Sequence, residues 1–94
     1  MSHDIKHNEQ TSQYETTIEG RLAYVAYDRE DPDCIVFTHT IVPDELSGRG
    51  IAGDLVKHAL GEARAQNLKV VPQCSYVAAY IKRHPEYEDL LAQR

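Results

Sequence analysis

The residues best suited to chemistry in this chain fall in two places, and the first is a glycine-rich turn. The stretch Ser47-Gly48-Arg49-Gly50-Ile51-Ala52-Gly53-Asp54 follows a β-branched run and opens the most regular amphipathic segment in the sequence. A helix start presents several backbone N–H groups without internal partners, and the macrodipole adds partial positive charge. Glycines let a ligand come close to that backbone, so a phosphate would sit here. Arg49 either adds a mobile cation or is simply solvated, and Gly48 and Gly50 taken alone also suit any tight entry turn. The spacing is not Gly-x-Gly-x-x-Gly, and the Gly-Lys-Ser/Thr ending of a P-loop is absent.

The second place gathers around Cys74, just before a segment with helical spacing. A thiol at a helix start is favoured as a thiolate and is suited to nucleophilic catalysis. Against that, free cysteines are usually small buried hydrophobes, and Cys34, at a strand start, reads as one of these. His39 lies on the run leading to the glycine turn, where an imidazole serves either as a general base or as an ordinary sheet histidine. Tyr76 and Tyr80 are four apart and share a helix face, with packing as the plainer reading. Lys82, Arg83 and His84 close that helix as phosphate contacts or as solvated residues. His3, His7 and His58 carry no functional argument, and no histidine has metal-ligand spacing with cysteine or carboxylate.

These residues need elements to hold them. Tyr14–Ile18 and Leu22–Tyr27 read as strands joined through Glu19-Gly20, a hairpin signal. Asp31-Pro32-Asp33 reads as the next turn, and Cys34–Val42 as a strand apolar on both faces. From Ile51 the period changes: Ile51, Ala52, Leu55, Val56, Ala59, Leu60 and Ala63 form one helical stripe, stopped at Asn67. Lys69–Val71 gives a short strand, Ser75 caps a second helix, and Pro85 ends it and opens a last short turn. The order is β-β-β-α-β-α, an α+β domain with a mainly antiparallel sheet. Residues 1–13 are expected to be a flexible start, and 14–94 the domain.

Ninety-four residues make one domain with a thin core. The net charge of −5, without a basic run, argues against nucleic-acid binding, which rests on neutralising phosphates. No stretch reaches the roughly 18 apolar residues of a membrane span, and no secretory leader is visible. Two cysteines forty positions apart make neither a disulfide framework nor a zinc motif. A reduced, cytoplasmic setting and a monomer or weak dimer are expected.

Ser47-Gly48-Arg49-Gly50-Ile51-Ala52 resembles the Gln/Arg-x-x-Gly-x-Gly/Ala turn with which GNAT acetyltransferases hold the pyrophosphate of acetyl-CoA, except that Ser47 stands at the first position. His39-Thr40-Ile41-Val42-Pro43, that turn, Pro72–Val77 and Tyr80–Tyr87 resemble, in this order, a small single-domain GNAT-like family, often called YjdJ-type. The resemblance runs from about Tyr14 onward and implies a truncated fold keeping the CoA-binding half. It implies backbone groups of Ile41 and Val42 along the pantetheine arm, and the amides of Arg49, Gly50, Ile51, Ala52, Gly53 and Asp54 at the pyrophosphate. It further implies Cys74 near the thioester, His39 as base or pantetheine contact, Tyr76 as proton donor to the leaving thiolate, and Tyr80 and Arg83 near the cofactor.

The leading expectation is therefore acetyl transfer from acetyl-CoA to a primary amine, on a protein, a peptide or another bulky acceptor. A second class is a CoA-binding module with little catalysis, which the absence of a convincing glutamate base on the His39 strand keeps in play. A third is an RNA clamp, since Gly50-Ile51-Ala52-Gly53 matches Gly-x-x-Gly, with the net charge against it.

Overall fold

The structure is a computed structural model that describes residues 4–29 and 31–91; residues 1–3, part of the expected flexible start, and 92–94 lie outside it. Glu19 and Gly20 both take left-handed backbone, with φ of 54° and 77°, the geometry a two-residue hairpin turn requires. They join β2 (Gln13–Ile18) to β3 (Arg21–Asp28). The Asp31–Asp33 turn is closed by the Asp31 carboxylate accepting from the Asp33 amide at 3.0 Å, and leads into β4 (Cys34–Ile41).

One strand escaped the sequence reading. Within the start expected to be flexible, Lys6–Asn8 forms β1, antiparallel to β2. Three polar residues give no alternation to detect. What holds them is tertiary: His7 stacks on Tyr14 with ring centroids 4.3 Å apart and hydrogen-bonds the Tyr27 hydroxyl.

After β4 come a 3-10 turn (Asp44–Leu46), α1 (Ile51–Ala65), β5 (Lys69–Pro72), α2 (Ser75–Arg83) and a C-terminal 3-10 helix (Pro85–Leu90). Asn67, with φ 59°, ends α1 in the left-handed conformation anticipated for a stop. Cys74, not Ser75, is the N-cap of α2; Ser75 is already helical, and no side chain caps the first turn.

The sheet runs β1-β2-β3-β4-β5, antiparallel until β5, which joins β4 in parallel. This α+β architecture is the expected one. The stripe of α1 (Ile51, Leu55, Val56, Ala59, Leu60, Ala63) is buried in one cluster with Tyr14, Val25, Tyr27, Ile35, Phe37 and Val70 of the sheet. Val77 and Ile81 of α2 and Leu90 join the same cluster, so all helices cover one face. Each large side chain withdrawn there contributes about 1.5–3 kcal/mol. The opposite face keeps Leu22 and Ile41 exposed.

Two details of β4 shape the site. Its pairing with β3 shifts between Ala26 and Tyr27: Tyr27 faces Phe37, but Ala26 faces His39, leaving Thr38 surplus as a bulge. Its pairing with β5 stops at Phe37–Pro72. Beyond that point β4 has no β5 partner: His39–Ile41 pair only with β3, and the start of α2 lies alongside.

Candidate functional site

Gly48 and Gly50 have φ of 81° and 76°, and a Cβ built on either meets nothing within 4 Å. A side chain there would be strained and would project into the free space above the turn. Gly50 is the N-cap of α1, and the first helical bond runs from the Asp54 amide to the Gly50 carbonyl at 3.0 Å. The amides of Ile51, Ala52 and Gly53 precede that bond, so they are the orphan donors of the helix start. A hollow of about 240 Å³ lies over them, walled by Val42, Leu46, Gly48, Gly50, Gly53 and Tyr76 among others. Approachable backbone, orphan amides and an open hollow fit a diphosphate.

Ser47, at the position where the resembled turn carries glutamine or arginine, donates its hydroxyl to the Asp44 carbonyl at 2.9 Å. It locks the 3-10 turn instead of reaching over the glycines. Arg49 also points elsewhere: its Nη1 lies 3.0 Å from Glu19 Oε2 at the tip of the β2–β3 hairpin. The Arg49 guanidinium holds the Glu19 carboxyl below the usual carboxylate range.

Where the β4–β5 pairing ends stands Cys74, half-buried, its amide donating to the Phe37 carbonyl at 2.9 Å. Its Sγ is 3.3 Å from the Thr40 hydroxyl. Thr40 is paired with Val25, a fully buried residue of the helix-covered face, so both point to the Cys74 side of the sheet. His39 is paired with Ala26 and Ile41 with Tyr24, on the opposite, exposed face. The structure thus brings Thr40 to Cys74 and places His39 behind the sheet from it. Thr40 was not singled out from sequence, because counting by twos along β4 from the buried Phe37 puts His39, not Thr40, on the inner face; the bulge reverses the count.

Tyr76 is 41% exposed and spans toward the glycine turn. Its hydroxyl lies 3.7 Å from where a Cβ on Gly53 would stand, with the Tyr80 ring at 3.9 Å. A Cβ at Gly53 would make ordinary van der Waals contact with both, so the two tyrosines wall the turn from the α2 side. Tyr80 stacks on His84 with centroids 4.2 Å apart, and burial pushes its phenol up. Arg83 is exposed on the last turn of α2, seven residues beyond Tyr76 and so on the same flank. The described residues contain no cluster of histidine, cysteine or carboxylate able to hold a metal, and no helix long and apolar enough to cross a membrane.

Comparison with known proteins bears on the fold that holds these residues. The profile of the GCN5-related N-acetyl-transferase family matches residues 13–90. Protein NATD1 of Mus musculus is 32% identical over 83 residues, covering 86% of this chain and 76% of the mouse protein. Its Homo sapiens counterpart is 31% identical over the same length, with 74% of that protein covered. The solution structure of a GCN5-like protein from Staphylococcus aureus superposes with a TM-score of 0.76 at 30% identity, over all of this chain and 93% of the other.

Proposed function

This chain belongs to the GCN5-related N-acetyltransferase family, and we propose that it moves an acetyl group from acetyl-CoA to a primary amine. The observation that carries the reading is an open glycine turn at the start of α1, under a hollow that Tyr76 of α2 helps to wall, with Cys74 capping α2 two residues before that tyrosine. The amides of Arg49 through Gly53 would receive the pyrophosphate, with Gly48 and Gly50 permitting close approach; the Asp54 amide, bonded to the Gly50 carbonyl, closes that set. Backbone groups of Ile41 and Val42, free of a β5 partner, would run beside the pantetheine arm. Tyr76 and Tyr80 would close the α2 side.

Acetyl-CoA supplies an activated acyl carbon, and the protein has to place an amine against it and manage two protons. A bond forms from the amine nitrogen to the acetyl carbon, the carbon–sulfur bond breaks, the amine gives up a proton and one is delivered to the departing sulfur. Cys74 offers a two-step route: its sulfur accepts the acetyl group while its proton leaves with the CoA thiol; the amine nitrogen then attacks the acetyl carbon, the Cys74 S–C bond breaks, and the amine proton returns to the Cys74 sulfur. The Thr40 hydroxyl holds that sulfur in place. The net charge of −5 favours a cationic acceptor, and a protein lysine, a peptide end or a bulky amine suits so lightly walled a site.

A second reading, a CoA-binding module with little catalysis, draws support from His39, which the register turns away from Cys74. A thermal-shift titration with acetyl-CoA, CoA and ATP separates the possibilities. Ligand at ~100 times its dissociation constant adds about 2.7 kcal/mol, worth roughly 10–20 °C for a domain this small. We expect a saturable shift with acetyl-CoA and CoA but not ATP. Cys74→Ala should keep that shift while lowering amine acetylation by about 100-fold or more. No shift at millimolar ligand sinks both readings. A shift without turnover on lysine peptides or amines selects the second, and unchanged turnover in Cys74→Ala removes the thiol from the mechanism.

A further inference from the structure

The glycine turn has a single cation within reach in sequence: Arg49 is the only basic residue between Val42 and Val56, among the acids Asp44, Glu45 and Asp54. That guanidinium is already engaged by Glu19 at 3.0 Å. Glu19 is well placed to hold it, because the left-handed backbone at Glu19 and Gly20 makes the hairpin tip a rigid two-residue turn. A second pair joins the same two loops with the charges exchanged, Arg21 Nη1 to Glu45 Oε2 at 3.6 Å. The hairpin tip and the strand–helix loop are thus clasped by reciprocal ion pairs.

We propose that Glu19 sets the affinity of the glycine turn for its phosphate ligand by competing with the phosphates for Arg49. The inference rests on the CoA-binding reading and adds to it a residue from a different part of the fold. Both partners of the pair are about half exposed, at 44% and 62%, and an exposed ion pair is weak enough to be exchanged. A phosphate offers the guanidinium a more highly charged, fork-shaped partner, so Arg49 swings to it when the ligand arrives. The exchange costs the original pair and leaves a carboxylate facing the incoming anion at less than a Debye length. Glu19 imposes this cost on every anion that recruits Arg49, so it lowers affinity at the turn without choosing among ligands.

The test is calorimetric titration of CoA into the wild-type chain, Glu19→Gln, Arg49→Gln, the double variant and Glu45→Gln, with melting curves to verify folding. Glu19→Gln should bind CoA about two- to fivefold more tightly at low ionic strength, and the gain should shrink in high salt. Arg49→Gln should weaken binding, and adding Glu19→Gln to it should recover little. Glu45→Gln, which removes the same charge from the other pair, should gain less than Glu19→Gln. The proposal is overturned if Glu19→Gln leaves affinity unchanged or lower. It is also overturned if its gain persists in full without Arg49, or if Glu45→Gln matches it, since either would make the effect general repulsion. A wild-type chain that binds CoA while Glu19→Gln changes nothing sinks this inference alone; one that binds no CoA sinks the parent reading with it.

Discussion

Tyr14 is the residue whose ionisation the fold resists most visibly. Its ring is buried between the His7 and Tyr27 rings, with the His58 ring at its edge, and burial pushes its phenol up to about 12 from an ordinary 10.0. Because the folded value is the higher one, the chain holds on to this proton longer folded than unfolded. The associated stability is complete below about pH 10 and is lost as pH rises toward 12. Chemical denaturation between pH 9 and 11.5 should therefore show a falling stability that Tyr14→Phe flattens. At the same scale the sequence was informative about residue type and less so about direction. Cys74 announces itself by standing before a helix, and the structure gives it a hydroxyl partner in Thr40 that no spacing rule would supply. Glu19 looks like any hairpin-tip acid until the loop it touches is known.

At the scale of elements, two of the glycines in helix α1 and its cap ask for opposite treatment. Gly50 caps the helix in left-handed backbone, where an L side chain is strained by about 1–2 kcal/mol. Gly61 lies inside the helix, exposed, and a Cβ added there meets nothing within 4 Å. Gly61→Ala should stabilise the chain by about 0.5–1 kcal/mol, while Gly50→Ala should destabilise it by about 1–2 kcal/mol and blunt any CoA-dependent shift. Urea unfolding of the two variants checks both signs. The helices were legible because an apolar stripe that keeps a 3.6-residue period over four turns fits no strand, and β2 to β4 because turn residues bracket β-branched runs. Strand β1 was not, since Lys6, His7 and Asn8 owe their pairing to the rings of Tyr14 and Tyr27, which belong to later strands. The cap of α2 was misplaced by one residue, because serine is a favoured cap and cysteine is not.

The whole molecule is one sheet with helices on a single face, so its edges matter more than in a two-sided fold. Removing residues 1–9 would take away β1, uncover the flank of Tyr14, and leave the Thr16 hydroxyl without its Asp4 carbonyl partner at 2.9 Å. The truncated chain should lose about 1–3 kcal/mol, seen as a melting point lower by several degrees, with the glycine turn untouched. Fold class was reachable from the order of elements, and the family from the glycine turn together with the wider run of resembling segments. The side of the sheet that His39 and Thr40 face was not, because Thr38 breaks the alternation from which it would be counted. If that one residue were absent, Phe37 would still face Tyr27, and His39, Thr40 and Ile41 would keep Ala26, Val25 and Tyr24. Every side chain would look the same way as before. What Thr38 adds is a hydroxyl that donates to the Ala26 carbonyl and one residue of slack in a single strand, the kind of irregularity that bends a β-ladder, set where β4 and β5 part.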